Sequence, residues 1–101
     1  MKENKELREI WLKMPANTQI SNIGSEVYRA ILWKNRGNKD RQIGFCKKAI
    51  ELLELSIEDP KNYQRKEEFH FWIEELTDYF IGDNTLGTTD EDLREKYDAF
   101  I

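Results

Sequence analysis

Residues 39–58 carry the strongest structural signal in the sequence, because their apolar residues recur at intervals of three and four. The residues with this spacing are Ile43, Cys46, Ile50, Leu53 and Ile57. Such a spacing aligns side chains along one side of an α-helix and does not fit the strict alternation of a half-buried β-strand. Pro60 follows, and the residue before a proline is disfavoured in the helical conformation. The segment therefore predicts a long helix with one continuous apolar face.

Four further helices are predicted from the same kind of spacing, and no segment alternates as a strand would. Their expected bounds are 2–14, 22–36, 62–81 and 90–101, with a polar loop over residues 16–21. Pro15 is expected to end the first helix, and Gly37 the second, because glycine readily adopts the left-handed conformation that closes a helix. The sequence thus predicts an all-α fold, an antiparallel helical bundle of about five helices in one domain, 1–101.

The composition allows one hydrophobic core and limits where such a domain can work. The expected core comprises Trp11, Ile31, Ile50, Leu53, Ile57, Trp72 and Leu76. The longest uninterrupted apolar stretch is residues 30–33, so the sequence offers no transmembrane helix and no signal peptide. Cys46 is the only cysteine, which excludes an internal disulfide and a zinc site with several cysteines. We therefore expect a cytoplasmic protein with no membrane, metal or cofactor.

The net charge of −4 is unevenly distributed along the chain. Residues 1–66 carry 14 Lys/Arg against 9 Asp/Glu, a net charge of +5, whereas residues 67–101 carry 2 against 11, a net charge of −9. The candidate contacts to nucleic-acid phosphates are Lys34, Arg36, Lys39 and Arg41, around the turn between the second and third helices. Because the acidic third competes for this basic surface, a protein partner or a second copy of the chain is favoured over nucleic acid. Charged helix surfaces that only solvate the protein are the alternative.

The fourth helix has apolar residues on more than one side. Phe71 and Ile81 fall outside its main apolar face, which comprises Phe69, Trp72, Ile73, Leu76 and Phe80. Exposed apolar residues of this kind mark interfaces, so Phe71 and Ile81 are candidate contacts of a homodimer. A larger monomer core, in which the first and fifth helices cover them, is the alternative. The sequence favours a non-catalytic helical protein-interaction module that self-associates over an enzyme.

Arg65 and His70, the only histidine, are the candidates for catalysis. Their spacing resembles the Arg-x4–6-His motif of HEPN-domain ribonucleases, small all-helical proteins that cleave RNA as dimers. The resemblance implies that the arginine meets the charge of the scissile phosphate and the histidine moves protons, without a metal. A HEPN-like metal-free ribonuclease, or an RNA-binding protein acting as a dimer, is therefore the alternative function. A partly exposed helix histidine without a catalytic role fits the same spacing.

Two carboxylate patterns have the spacing of metal sites. Glu67 and His70 match half of a ferritin-like di-iron site, which needs a second such motif. The second pattern, which resembles the magnesium signature of all-α nucleotide pyrophosphohydrolases, comprises Glu51, Glu54, Glu75 and Asp78. It lacks the paired glutamate before the first motif, where Ile50 stands. We expect these carboxylates to be solvated residues of helix surfaces and expect no metal.

Five stretches between residues 25 and 84 carry a further resemblance. They are Ser25-Glu26-Val27-x-Arg29-Ala30, Trp33-Lys34, Ala49-Ile50-Glu51-Leu52-Leu53, Ile57-x-Asp59-Pro60-Lys61 and Asp78-Tyr79-Phe80-x-Gly82-Asp83-Asn84. With them the chain resembles a small, uncharacterised prokaryotic all-helical family, for which no activity is established. The resemblance implies a compact prokaryotic helical domain and implies no particular chemistry.

Overall fold

Helices make up most of the chain over residues 2–100, the part that the computed structural model describes. The α-helices are α1 (Lys2–Leu12), α2 (Ala16–Asn35), α3 (Lys39–Glu58), α4 (Lys66–Phe80) and α5 (Asp90–Asp98), and a 3-10 helix (Pro60–Arg65) leads into α4. No β-strand occurs between residues 2 and 100. The prediction of an all-α helical bundle is confirmed. None of the helices described is both long and apolar enough to span a bilayer.

The start of α2 was predicted wrongly. α2 begins at Ala16, so the polar residues 16–21 form its first turns and not a loop. Pro15 occupies the N-cap position with φ −59° and ψ 152°. A proline lacks an N–H that the first turn of a helix would leave unpaired anyway, and its fixed φ suits a helix start. The residue expected to end one helix therefore begins the next.

The fourth and fifth helices are also shorter than predicted. Residues 62–65 of the predicted helix 62–81 belong instead to the 3-10 helix Pro60–Arg65, which begins where the Asp59 side chain accepts a hydrogen bond from the Lys61 N–H at 3.1 Å. Asp59 thereby caps a helix that starts with Pro60, before the predicted start. The fifth helix ends at Asp98, and Ile101 lies outside the described residues.

The core lies between α2, α3, α4 and α5. Five of the predicted core residues are buried: Trp11, Ile31, Leu53, Trp72 and Leu76. The prediction for Ile50 and Ile57 was wrong, since both are only partly buried. The inward side of α3 combines three leucines (Leu52, Leu53 and Leu55) with the smaller residues Cys46, Ala49 and Ser56. Small side chains let the neighbouring helices approach α3 closely, and the bulkier isoleucines then lie at the edge of the contact.

α5 closes the bundle by packing against α2 and α4. Its Tyr97 is fully buried, and the Tyr97 ring meets the Trp72 ring edge-on at 5.3 Å. On α2, Gly24 faces Tyr97 so closely that an added Cβ would lie 2.8 Å from the Tyr97 Cβ. A glycine at position 24 is therefore a condition for the observed distance between α2 and α5.

A buried polar network joins α1, α2, α3 and the 3-10 helix; it consists of Trp11, Gln19, Ser56, Asp59 and Asn62. Gln19 donates to the Trp11 carbonyl at 2.8 Å and to the Asp59 carboxylate at 2.9 Å. Asn62 donates to the Gln19 side-chain oxygen at 2.9 Å and to the Ser56 carbonyl at 3.0 Å. The Trp11 indole N–H donates to the Ser56 hydroxyl at 2.9 Å. Because buried polar groups are costly unless they are paired, the network fixes how these four segments meet.

Asp59 makes the stability of the fold depend on pH. Burial raises the pKa of its carboxyl group, but the hydrogen bonds from Lys61 and Gln19 outweigh this, so the pKa lies below its ordinary value. Such a group stabilises the fold above its unfolded pKa of about 3.9, and the contribution is lost as the pH falls through the folded pKa. We therefore expect the free energy of unfolding, measured by urea denaturation, to decrease from about pH 5 to about pH 2.

The substitution Asp59→Asn removes this titration, so the decrease should be smaller in the variant. Asp78 and Asp90, whose pKa values are also lowered, account for part of the remaining slope. Asp83→Asn changes an exposed carboxylate and is the control that should follow the wild type. An Asp59→Asn variant with the wild-type pH dependence would contradict the assignment.

Candidate interaction face

The outer surface of the α2–α3 hairpin combines cations with two partly buried aromatic rings. We call it the basic face and define it by Trp33, Arg36, Arg41, Gly44, Phe45 and Lys48. The guanidinium carbons of Arg36 and Arg41 lie 5.3 and 4.6 Å from the centre of the Trp33 ring. Both distances are within the range of cation–π attraction, which holds the two charges beside one aromatic surface.

A shallow cleft of about 370 Å³ opens on α3 within the basic face. Asp40, Arg41, Gly44, Phe45 and Lys48 line it. Gly44 contributes only backbone atoms to the lining, because it has no side chain. An added Cβ at this position would meet nothing within 4 Å. The cleft therefore exposes helix backbone between an arginine and a lysine.

The structure separates the four residues that the sequence suggested as phosphate contacts. Lys34 is directed to α5, where its ammonium lies 3.1 Å from the Asp90 carboxylate and 5.3 Å from the centre of the Tyr79 ring. Burial lowers the pKa of Lys34, but hydrogen bonds to Asp90 and Tyr79 raise it more, so the pKa is above its ordinary value. Lys34 thus holds α2 to α5.

The other three residues remain at the hairpin. Arg36 and Arg41 share the Trp33 ring, and Lys39 is exposed in the first turn of α3. Asn38 caps α3 by accepting a hydrogen bond from the Arg41 N–H at 3.1 Å. Because this cap fixes the start of α3, it also fixes the position from which Arg41 reaches Trp33.

Arg65 and His70 are not brought together within one chain. The Arg65 guanidinium donates to Glu68 at 2.9 Å and lies 4.8 Å from the centre of the Phe100 ring. His70 is exposed in a surface cleft of about 520 Å³ whose other lining residues are Tyr63, Gln64, Lys66 and Glu67. Arg65 therefore links the start of α4 to Phe100 near the C-terminus. His70 faces solvent, and the charged residues that line its cleft are Lys66 and Glu67.

Phe71 and Ile81 are exposed but do not form one patch. Their exposed fractions are 47% and 41%. Ten residues separate them, which corresponds to about 15 Å along a helix. The Lys96 ammonium lies 5.6 Å from the centre of the Phe71 ring, so that ring is partly covered by α5. Phe71 therefore lies in the first half of α4, whereas Ile81 caps its C-terminal end.

The acidic residues of α4 mostly have structural partners. Glu75 forms an ion pair with Lys96 of α5. The Asp78 carboxylate accepts hydrogen bonds from the N–H groups of Thr85 at 2.8 Å and Leu86 at 3.0 Å, which shapes the loop after α4. Within residues 2–100, no three His, Cys, Asp or Glu side chains converge as metal ligands.

α5 presents the most acidic exposed surface. Its exposed carboxylates are Glu91, Asp92, Glu95 and Asp98, and Arg94 is the only exposed cation between them in the sequence. Glu91 and Glu95 are one turn apart, an arrangement of like charges that destabilises an isolated helix. The molecule therefore carries a strongly acidic helix and, on the other side of α2, the basic face.

Gly44 and its cleft were missed by the sequence reasoning. The available signal was a glycine inside an otherwise regular helical period, which is unfavourable unless something approaches the backbone closely.

Comparison of the chain with protein-family models, curated proteins and solved structures finds no match in any of the three.

Proposed function

We propose that this protein is a non-catalytic helical interaction module that self-associates, with the basic face as its binding surface. The observation that carries the proposal is the separation of charge between the basic face and the exposed carboxylates of α5. Complementary charged surfaces guide association and select partners. A second copy of the chain always supplies the complementary acidic surface, so no other partner is needed.

A second copy suits the basic face better than nucleic acid does. Proteins that bind single strands offer aromatic rings on which bases stack. Here the Trp33 ring is already occupied by two guanidinium groups, and Lys34 is engaged by Asp90. The polyanion site suggested by the sequence is therefore reduced to Arg36, Lys39 and Arg41. Weak binding to phosphates is all that this remainder supports.

The location that we propose is the cytoplasm of a prokaryotic cell. Cys46 supports a reducing compartment, because it is a free cysteine that is fully buried. Burial raises the pKa of its thiol to about 12, so the reactive thiolate is not formed at neutral pH. The residue acts as a small core side chain, and its thiol contacts the Leu76 carbonyl oxygen at 3.6 Å.

The proposal predicts association that weakens as salt increases. Exposed charges separated by more than a few ångströms are screened at high ionic strength. We expect sedimentation velocity at about 50 mM salt to show reversible self-association at micromolar concentration, and a clear shift toward monomer at about 500 mM. The double variant Arg41→Glu/Lys48→Glu should be monomeric at both.

Two results would contradict the proposal. The first is a strict monomer at every concentration and salt. The second is metal-free RNA cleavage that is lost in Arg65→Ala and in His70→Ala, since that would establish the ribonuclease alternative. A monomer that retards single-stranded RNA in a gel would assign the basic face to nucleic acid instead.

A further inference from the structure

Gly44 lies in the second turn of α3, where a glycine has no role within the monomer. Its φ is not in the left-handed region, so no special backbone conformation requires it. An added Cβ would meet nothing within 4 Å, so no close packing inside the monomer requires it either. This contrasts with Gly24, which faces Tyr97 at a distance that excludes a side chain. A glycine that weakens a helix without helping the monomer indicates close approach by something outside it.

The charges around Gly44 define what approaches. Arg41 and Lys48 stand on either side of it in the lining of the cleft, and with one carboxylate, Asp40, in the lining the net charge is +1. They are seven residues apart, about 10.5 Å along the helix. A fitting occupant is therefore an element of similar length with carboxylates along it, narrow enough to lie on the exposed backbone of α3.

α5 has those properties. Its exposed carboxylates Glu91 and Asp98 are also seven residues apart, with Glu95 and one exposed cation, Arg94, between them. One oxygen of Asp98 accepts a hydrogen bond from the Tyr28 hydroxyl of its own chain, which leaves the other oxygen for a partner. The outer side of α4 is less acidic than α5: it has three exposed carboxylates, Glu67, Glu68 and Glu74, and Glu68 is already paired with Arg65. α5 thus matches the cleft in sign and in length.

α5 cannot reach the basic face of its own chain. It contacts α2 through Gly24, Tyr28 and Asn35, whereas Trp33 on α2 faces Arg41 of α3. Asn35 donates to Asp90 at 3.1 Å, which holds the first turn of α5 on that side. The α5 that occupies the cleft must therefore come from a second copy, and the contact joins two different surfaces.

We propose that α5 of a second copy docks in the Gly44 cleft, with its carboxylates paired to Arg41 and Lys48. This inference rests on the proposed self-association and names the element that the basic face receives. Each copy offers one cleft and one α5, so a dimer with two-fold symmetry can make this contact twice.

The test uses sedimentation velocity on the full chain with three charge variants. The face variant is Arg41→Glu/Lys48→Glu, and the α5 variant is Glu91→Lys/Glu95→Lys. The matched control is Glu67→Lys/Glu74→Lys on α4, which changes the net charge by the same amount as the α5 variant. Far-UV circular dichroism checks that each variant is folded.

We expect the face variant and the α5 variant each to associate at least about tenfold more weakly than the wild type, and the control to associate as the wild type does. Mixing the face variant with the α5 variant should restore association, because each supplies the surface that the other lacks. Gly44→Leu should fill the cleft and weaken association while the monomer stays folded.

The possible outcomes separate this inference from the proposed function. If the α5 variant associates like the wild type while the face variant does not, the basic face receives something other than α5, and only this inference falls. If Gly44→Leu associates as well as the wild type, the cleft is not the contact, and again only the inference falls. If the wild type is monomeric throughout, both fall.

Discussion

The substitution Gln19→Leu should lower the free energy of unfolding by about 2–4 kcal/mol, because it takes one hydrogen bond from each of three buried groups. The groups are the Trp11 carbonyl, one oxygen of the Asp59 carboxylate and the side-chain amide of Asn62. All of them lie where water cannot replace the lost hydrogen bond, since Gln19 is fully buried. Asp59 keeps its contacts to Lys61, but a hydrogen bond to a charged group is worth more than a neutral one, so the loss at Asp59 contributes most. Urea denaturation followed by circular dichroism measures the change.

Gln64→Leu is the matched control. It makes the same chemical change in the 3-10 helix, at an exposed residue. We expect its effect on the free energy of unfolding to stay within about 0.5 kcal/mol. A Gln19→Leu variant as stable as the Gln64→Leu variant would show that the buried polar network contributes nothing to stability.

The same network explains why the start of α2 escaped the sequence reasoning. Residues 16–21 are polar, and a polar run between two apolar periods is typical of a loop. Gln19 is nevertheless buried, because its partners Asp59 and Asn62 arrive from the far end of α3 and the 3-10 helix. Those contacts span about forty residues, so no local pattern contains them. Helix number and type were predictable from periodicity; this boundary depended on tertiary contacts.

The orientation of α3 shows a second limit. The spacing of its isoleucines correctly identified the helix but not the side that packs inward. Hydrophobicity favours Ile50 at the centre of the core, yet Cys46 and Ala49 lie there. Their small size lets α2 and α4 pack near α3, a benefit that depends on the neighbours and not on the residue itself. Sequence periodicity therefore locates an apolar face to within about one residue position.

The candidate site was predictable only in part. The sequence shows that basic residues are concentrated near the hairpin. It does not show which of them stay on the hairpin surface and which pair with another helix. Lys34 lies in the last turn of α2 and Arg36 is its C-cap, so the two side chains point in different directions. Lys34 pairs with Asp90, and Arg36 stacks on Trp33. The pairing with Asp90 depends on where α5 packs. The sequence alone therefore could not exclude Lys34 from the candidate phosphate contacts.

Gly24 and Gly44 stand in similar helical segments and should respond to alanine in opposite directions. At position 24, the new Cβ would lie 2.8 Å from the Tyr97 Cβ and 3.4 Å from its Cγ. The Cβ atom of Tyr97 is fixed to the backbone, so relief requires α5 to move away from α2. At position 44 the new Cβ enters open space. Gly24→Ala therefore forces α2 and α5 apart in the core, whereas Gly44→Ala only raises the helix propensity of α3.

We therefore expect Gly24→Ala to lower the free energy of unfolding by about 2–3 kcal/mol, despite the better helix propensity of alanine. Gly44→Ala should raise it by about 0.5–1 kcal/mol. Both are measured by urea denaturation at a protein concentration where the chain is monomeric. A stabilised Gly24→Ala would mean that α5 packs farther from α2 than described here. A destabilised Gly44→Ala would mean that Gly44 serves the monomer, so its presence would no longer indicate a partner at the cleft.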